Sequence, residues 1–332
     1  LGPFSRFGPA ELLDFFAARG LACKTEADGR VFPECESAKA IRNVLVKWLK
    51  ELGVVLQCNC NVQKVASNSE SAMFEVSYIE KTGRQTPRSC IAGAQSLVLA
   101  TGGEAMPSSG STGDGFRWLA ELGYAVQTVK PILVPMKIRE SWLADLQGLA
   151  LPDVAVTLAG SGAEKCTSRG AVMFTHYGLS GPAIINMASC VSRLLEANTE
   201  ADLEPAKMKI MLDIFPDMER KELDRHLQEL LAANPRKQLS KVLEMLLPSR
   251  LAARVLLTDC ENPNASSVSR ALRLNVIDNL KCFPLTFDGL LGKEAAIATV
   301  GGVGIDDVDF RTMQLKGSPG LFVIGDMLDI QR

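Results

Sequence analysis

Ser96-Leu97-Val98-Leu99-Ala100-Thr101-Gly102-Gly103 is a short apolar run that ends in two glycines. An unbroken apolar run of this length is typical of a parallel strand buried on both faces, because helices cover both sides of such a sheet. Glycines placed directly after the strand allow the backbone to approach a ligand closely. The stretch predicts either a ligand-binding strand end or a tight strand-to-loop turn, and taken alone it favours neither.

A second apolar run, Leu321-Phe322-Val323-Ile324, leads into Gly325 and Asp326. A carboxylate at a strand end can accept short, charge-assisted hydrogen bonds from the hydroxyls of a ribose or ribityl chain. The bare pattern more often marks a strand that closes in an ordinary turn. Because a strand followed by glycine occurs near both ends of the sequence, we expect 97–101 and 321–324 to share one sheet.

The pattern of predicted strands and helices changes after residue 130 and changes back near residue 290. Segments 153–159 and 169–175 alternate like antiparallel strands, and a helix-rich block follows. The sequence therefore predicts a discontinuous α/β domain, with a mixed insert of strands and helices between its halves. The domain is expected over 1–130 and 290–332, and the insert over 131–289. Within the domain, the alternation of Val54, Leu56 and Cys58 predicts one more strand.

Composition excludes several classes of protein. Of the 332 residues, 47% are hydrophobic and 22% are charged, and the net charge is −2, which is ordinary for a soluble globular protein. No basic stripe marks a nucleic-acid or membrane surface, and no apolar run approaches the length of a membrane span. We therefore expect a small-molecule substrate and neither a nucleic-acid nor a membrane partner, while the oligomeric state is left open.

Cysteine and histidine usage bears on metals and on the cellular compartment. The 9 cysteines are scattered without a Cys-x-x-Cys motif, and only 2 histidines occur, so we expect no metal site. Cysteines without a framework of disulfides favour the cytoplasm or another reducing compartment. The sequence opens on Leu1 and not on Met, so organelle targeting is left open.

Three further glycine motifs each have a structural and a functional interpretation. The loop 110–115, which contains Gly113 and Asp114, either wraps a phosphate or caps a helix, and capping is favoured because no Walker sequence is present. Gly301-Gly302 is a glycine turn after a predicted strand. His176 and Tyr177 precede a glycine-serine helix start, where His176 is either an acid–base group or, more commonly, a structural histidine.

Seven sequence blocks, occurring in the same order, resemble the BaiN/YhiN-like NAD(P)/FAD-dependent oxidoreductase family over nearly the whole chain. The blocks are Phe7-Gly8-Pro9-Ala10, Asp28-Gly29-Arg30-Val31-Phe32-Pro33, Ala100-Thr101-Gly102-Gly103, Ser111-Thr112-Gly113-Asp114-Gly115, Thr175-His176-Tyr177-Gly178-Leu179-Ser180-Gly181-Pro182, Gly301-Gly302-Val303 and Gly325-Asp326-Met327-Leu328-Asp329. The resemblance implies a Rossmann-like FAD-binding domain. It also implies that the insert has a β-barrel part, about 131–215 and 283–289, and a helical part, about 216–282.

The same resemblance implies roles for individual residues. The Val62 backbone would meet the adenine side of FAD, Thr101, Gly102 and Gly103 would pass near the pyrophosphate, and Gly325 and Asp326 would hold the ribityl chain. The family more often has Glu at the position of Asp326. Ala100, Gly113, Asp114, Gly301 and Gly302 complete the expected cofactor site, and His176 and Tyr177 are the candidate catalytic residues.

The resemblance implies hydride transfer through FAD, with NAD(P)H as donor and a substrate that the sequence does not identify. The family's opening Gly-x-Gly-x-x-Gly strand and its C-terminal glycine-rich loop are not found in this sequence. We therefore expect a fragment or truncated product that does not retain FAD on purification and is inactive alone, whereas the complete protein retains FAD. One rival hypothesis is a non-catalytic flavoprotein-like binding protein. Another is an RNA-modifying flavoprotein, against which the net charge argues.

Overall fold

The computed structural model describes residues 2–26, 29–68, 73–81, 86–159, 165–198, 208–256 and 262–330, so Asp28 of the second sequence block lies outside the described residues. Numbered along the chain, the strands are β1 (Cys23–Thr25), β2 (Val31–Pro33), β3 (Cys60–Asn68), β4 (Met73–Glu80), β5 (Arg88–Ala94), β6 (Leu97–Leu99), β7 (Val126–Ile132), β8 (Met136–Ile138), β9 (Ala150–Ala159), β10 (Lys165–Phe174), β11 (Gly178–Ser180), β12 (Lys209–Asp213), β13 (Phe283–Leu290), β14 (Ala298–Val303), β15 (Val308–Asp309), β16 (Gln314–Leu315) and β17 (Leu321–Val323). The helices are α1 (Pro9–Ala17), α2 (Ala38–Glu51), α3 (Asp114–Glu121), α4 (Pro182–Asn198), α5 (Arg220–Ala233), α6 (Leu239–Leu243), α7 (Ser249–Val255) and α8 (Arg270–Lys281).

The chain forms two compact units. Among the described residues, the first unit contains those within 2–101, 114–127 and 301–330, and the second contains those within 102–113 and 128–300. Both units are therefore discontinuous in sequence, and β7 and β14 each carry the chain from one unit to the other. The predicted domain limits at residues 130 and 290 stay a prediction.

In the first unit, β6 and β17 pair in parallel, with Leu97 opposite Leu321 and Leu99 opposite Val323. The expectation that these strands share one sheet is confirmed. The expectation that the first of them is buried on both faces is wrong, because the Val98 side chain is 54% exposed while Leu99 is buried. In the described chain β6 ends the strand order β15-β16-β17-β6, so it pairs on one side only.

The strand predicted around Val54, Leu56 and Cys58 is also wrong. Residues 54–58 have no regular secondary structure, and Val55 is 84% exposed. The Val54 N–H still donates to the Leu49 carbonyl, which closes α2, and Asn59 has a φ of 60°, which interrupts an extended path. The strand begins at Cys60, where the antiparallel sheet β3-β4-β5 starts.

The second unit contains a closed six-stranded barrel with the strand order β10-β11-β8-β13-β12-β9. Its strands alternate buried and exposed side chains, as in β9, and the buried ones form one continuous core with α4 to α8. In α5 the buried leucines are Leu223, Leu227 and Leu231, four residues apart on one helical face. The α/β fold class, with its β-barrel part and helical part, is confirmed.

A disulfide joins Cys166 of β10 to Cys190 of α4 in the second unit. The cysteine spacing did not predict this bond, because the two residues are 24 positions apart and meet only when α4 packs across the barrel strand. Six other cysteines of the described residues carry free thiols: Cys23, Cys35, Cys58, Cys60, Cys90 and Cys282.

Candidate functional site

The carboxyl ends of the parallel strands β6 and β17 carry the site of the first unit. Ala100 and Thr101 follow β6, and Gly325 and Asp326 follow β17 after Ile324, whose N–H donates to the Leu99 carbonyl at 3.2 Å. Parallel strands bring such ends to the same edge of a sheet, which is where α/β proteins bind ligands. The structure therefore brings together the two strand-end motifs that the sequence indicated.

Gly325 is the residue of this edge that leaves room for a ligand. Its φ of 72° lies in the left-handed region, and a Cβ built on it meets no atom within 4 Å. Because the residue is exposed, its backbone faces open space at the strand end. Asp326 follows in a single 3-10 turn, Gly325–Met327, with a half-buried side chain. A glycine with free space beside a carboxylate is suited to a ligand that carries hydroxyl groups.

The Met327 side chain is fully buried, and Met327 packs against Thr101, Gly115 and Gly302. The Thr101 hydroxyl donates to its sulfur at 3.3 Å. A Cβ on Gly115 would overlap the Thr101 hydroxyl and the Met327 methyl group, and a Cβ on Gly302 would overlap the Met327 carbonyl. Gly115 and Gly302 therefore serve close packing. Gly301 and Gly302 are both buried, and their expected place in the cofactor site stays a prediction.

Helix α3 begins at Asp114, whose side chain pairs with Arg117 at 3.0 Å. The Trp118 indole N–H donates to the Gln63 carbonyl at 3.3 Å. That carbonyl lies where the β3–β4 register shifts between Val62 and Lys64, so the bulge provides the acceptor that holds α3 to β3. Val62 itself is half-buried beside this bulge.

In the second unit, the loop that begins with Gly102 and Gly103 has a specific backbone arrangement. Gly102 has a φ of 73°, and Gly103 is buried. The N–H groups of the next two residues, Glu104 and Ala105, both donate to the Thr299 hydroxyl oxygen, at 2.9 and 3.2 Å. Among the described residues, no acceptor pairs with the N–H groups of Gly102 and Gly103. Successive N–H groups at a left-handed residue form the concave backbone shape that binds anions.

The rest of this loop packs against itself. Gly113 has a φ of 80°, and a Cβ there would lie 2.6 Å from a carboxylate oxygen of Glu104. A Cβ on Gly102 would lie 2.8 Å from the Ser111 hydroxyl. Gly113 therefore allows close packing of the loop against Glu104, and the choice between phosphate binding and helix capping for the 110–115 motif stays a prediction.

His176 and Tyr177 form the tip of the hairpin between β10 and β11. The Thr175 N–H donates to the Gly178 carbonyl at 2.8 Å, and the two rings meet edge to face with centroids 4.8 Å apart. His176 is exposed and Tyr177 is half-buried. Gly178 allows this turn, because a Cβ there would overlap the Met136 carbonyl oxygen. The hairpin belongs to the second unit, and its catalytic role stays a prediction.

Each unit, taken by itself, offers groups of a kind that FAD requires. In the first unit, the open backbone at Gly325 and the Asp326 carboxylate suit a ribityl chain. In the second unit, the unpaired N–H groups of Gly102 and Gly103 suit a pyrophosphate. In the described part of the chain, no group of three or more His, Cys, Asp or Glu side chains could hold a metal ion. None of the helices there combines the length and the apolar character needed to cross a membrane.

Two residues, one in each unit, were missed from the sequence. Met327 stands inside the Gly325–Asp329 block, but an apolar residue after a turn shows no sign of its contact with Thr101. Thr299 occupies a strand between Ala298 and Val300, where a threonine is unremarkable because β-branched residues favour strands. Its burial, at 3% exposure, is the feature that distinguishes it.

Comparison with known proteins gives a family and several relatives. The family model described as HI0933-like protein Rossmann domain matches residues 2–332. The ribosomal RNA dihydrouridine synthase of Escherichia coli (strain K12) is 26% identical over 330 residues, which cover 98% of this chain and 74% of that protein. The 3-dehydro-bile acid delta(4,6)-reductase of Clostridium scindens is 25% identical over 328 residues, or 98% of this chain and 75% of that protein. The ribosomal RNA dihydrouridine synthase of Haemophilus influenzae is 24% identical over 331 residues, which cover 98% of this chain and 75% of that protein.

Proposed function

Since the chain belongs to the HI0933-like protein Rossmann domain family, we propose that it is an FAD-dependent oxidoreductase that takes a hydride from NAD(P)H and reduces a small unsaturated substrate. The observation that carries this proposal is the glycine and carboxylate at the carboxyl end of a parallel strand, Gly325 and Asp326, beside the end of β6. Ligands bind at this edge in α/β proteins generally. Bound FAD supplies the hydride chemistry, which no side chain provides.

The residues of the chain bind and orient the cofactor. The Asp326 carboxylate accepts hydrogen bonds from ribityl hydroxyls, and Gly325 allows the ligand to approach the backbone. The N–H groups of Gly102 and Gly103 donate to a pyrophosphate, and the half-buried Val62 backbone is assigned to the adenine. Thr101 is held by Met327 and fixes the end of β6. His176 and Tyr177 are the proposed proton donors to the substrate.

The names of the relatives support reduction as the reaction. One is a reductase that acts on a bile acid, and two form dihydrouridine, a name that describes uridine with two hydrogens added. These relatives act on very different molecules, so the shared feature is the reduction and not the substrate.

Reduction of uridine in RNA is the second candidate function, because two of the relatives carry that name. The charge of this chain favours the small-molecule substrate. With 36 basic and 38 acidic residues, the protein lacks the positive excess that phosphate backbones attract. Incubation of the FAD-loaded chain with NADPH and unmodified ribosomal RNA, followed by analysis of the nucleosides, distinguishes the two candidates.

Titration of FAD into the full chain tests the cofactor assignment. We expect saturable binding that the Asp326→Ala variant weakens about 10- to 100-fold, since a hydrogen bond to a charged group contributes about 1.5–3 kcal/mol. Asp329→Ala, three residues farther on, is the matched control and should bind FAD like the wild type. Equal affinities for wild type and Asp326→Ala would remove Asp326 from the site, and no saturable binding by the wild type would overturn the proposed function.

A further inference from the structure

The buried Thr299 hydroxyl lies in the second unit, on β14, and faces the loop that begins with Gly102. Thr299 and Thr286 are the buried polar side chains of the described residues, with exposures of 3% and 8%. A buried hydroxyl is costly unless it forms hydrogen bonds. Thr299 accepts two of them, from the consecutive N–H groups of Glu104 and Ala105.

These two bonds determine which N–H groups of the loop are available to a ligand. The Glu104 and Ala105 groups are occupied by Thr299, while the preceding Gly102 and Gly103 groups have no acceptor among the described residues. A Cβ on Gly103 would overlap the Thr299 side chain, so glycine is required for this close approach. The loop is therefore held by one side chain at the point where it turns.

We propose that Thr299 is a positioning residue, whose hydroxyl holds the loop from Gly102 to Ala105 in the conformation that directs the N–H groups of Gly102 and Gly103 to a pyrophosphate. This inference rests on the proposed function, because FAD is the source of that pyrophosphate. Thr299 does not contact the ligand. It acts by accepting hydrogen bonds from the N–H groups of Glu104 and Ala105, which fixes the turn that begins at Gly102.

The variants Thr299→Val and Thr299→Ser separate the hydroxyl from the shape of the side chain. Valine keeps the volume but leaves the N–H groups of Glu104 and Ala105 without their acceptor, whereas serine keeps the acceptor. Thr286→Val is the matched control, because Thr286 is the other buried threonine and its hydroxyl bonds instead to Lys209, at 2.8 Å, within the barrel.

The first measurement is amide hydrogen exchange of the full chain without flavin. Thr299→Val should raise exchange in the segment 102–105 by tenfold or more, while Thr299→Ser and Thr286→Val leave this segment unchanged. Because no flavin is present, this result does not depend on the proposed function. Unchanged exchange in Thr299→Val would overturn the inference and leave the proposed function intact.

The second measurement compares FAD with riboflavin, which has the flavin ring and the ribityl chain but no phosphate. Thr299→Val should weaken FAD at least tenfold and riboflavin by less than about twofold, and Thr299→Ser should restore FAD affinity. A tenfold change corresponds to about 1.4 kcal/mol. Equal weakening of both ligands would show a general structural role and overturn the inference. If Thr299→Val does not fold, the comparison rests on Thr299→Ser, in which FAD affinity more than tenfold below wild type would contradict the proposal.

Discussion

The two units bury their apolar residues very differently. The core of the second unit extends without a break from Met136 in β8 to Phe287 in β13 and includes the helices α4 to α8. In the first unit, large apolar side chains such as Phe4, Val55 and Val98 are exposed. Of the large exposed apolar residues among those described, all but four belong to the first unit, the exceptions being Met106, Met173, Met245 and Ile297.

This difference indicates how stability and ligand binding are divided. A closed barrel has no free strand edge, so its backbone groups pair internally. The first unit contains instead a short parallel pair, and the proposed cofactor-binding residues Gly325 and Asp326 follow one of its strands. We expect substitutions in the barrel to change the free energy of unfolding, and substitutions at the strand ends to change cofactor binding.

The largest expected effect is in the barrel core. Phe287→Ala removes a fully buried ring and should lower the free energy of unfolding by about 3–5 kcal/mol. Val98→Ala in β6, where the side chain is 54% exposed, should cost no more than about 0.5 kcal/mol. Chemical denaturation followed by total tryptophan fluorescence measures both variants, because Trp48 and Trp118 lie in the first unit and Trp142, which packs on Phe283, lies in the second. Similar losses in the two variants would contradict the contrast between the units.

A glycine of the first unit should give the next largest effect. Gly302→Ala places a methyl group against the Met327 carbonyl at a φ of 117°, and we expect a loss of about 2–4 kcal/mol from strain and overlap together. Gly317→Ala is the control, because its φ is 86° but a Cβ there meets no atom within 4 Å. Denaturation followed by total tryptophan fluorescence, to which Trp48 and Trp118 of the first unit contribute, should show the larger loss for Gly302→Ala. Equal losses would mean that backbone strain alone matters at both glycines.

The smallest effect is expected at a surface ion pair of the barrel. Arg169 of β10 donates to both carboxylate oxygens of Asp153 in β9, and these hydrogen bonds lower the pKa of Asp153. A carboxyl whose pKa is lower in the folded state stabilises the protein above its unfolded pKa and loses that contribution as the pH falls through the folded pKa. Water screens this exposed pair, so its contribution is small.

Asp153→Asn should therefore be slightly less stable than the wild type at neutral pH. The difference should shrink as the pH falls below about 4. Thermal unfolding at several pH values measures this difference. The control is Asp288→Asn, because Asp288 pairs with Arg139 at the longer distance of 3.3 Å. A difference that grew on acidification would have the wrong sign for this account.

The sequence predicted the parallel pair because a glycine after an apolar strand is a local pattern that survives folding. Three features of the structure are not local. The barrel closes through pairs such as β9 with β12, which are distant in the chain, so only the family resemblance implied it. The alternation at Val54 and Leu56 was misleading, because alternation does not reveal whether a partner strand is present. Thr299 was missed because burial, and not residue type, makes its hydroxyl important.

The central proposal is that the protein binds FAD and takes up a hydride from NAD(P)H. The direct test is anaerobic mixing of the full chain, supplied with FAD, with NADPH or NADH, while the visible absorbance of the flavin is followed. The account predicts that protein-bound flavin is reduced faster than free FAD at the same concentration, and that the gain saturates with protein. Reduction at the rate of free FAD, at protein concentrations that saturate binding, would contradict it.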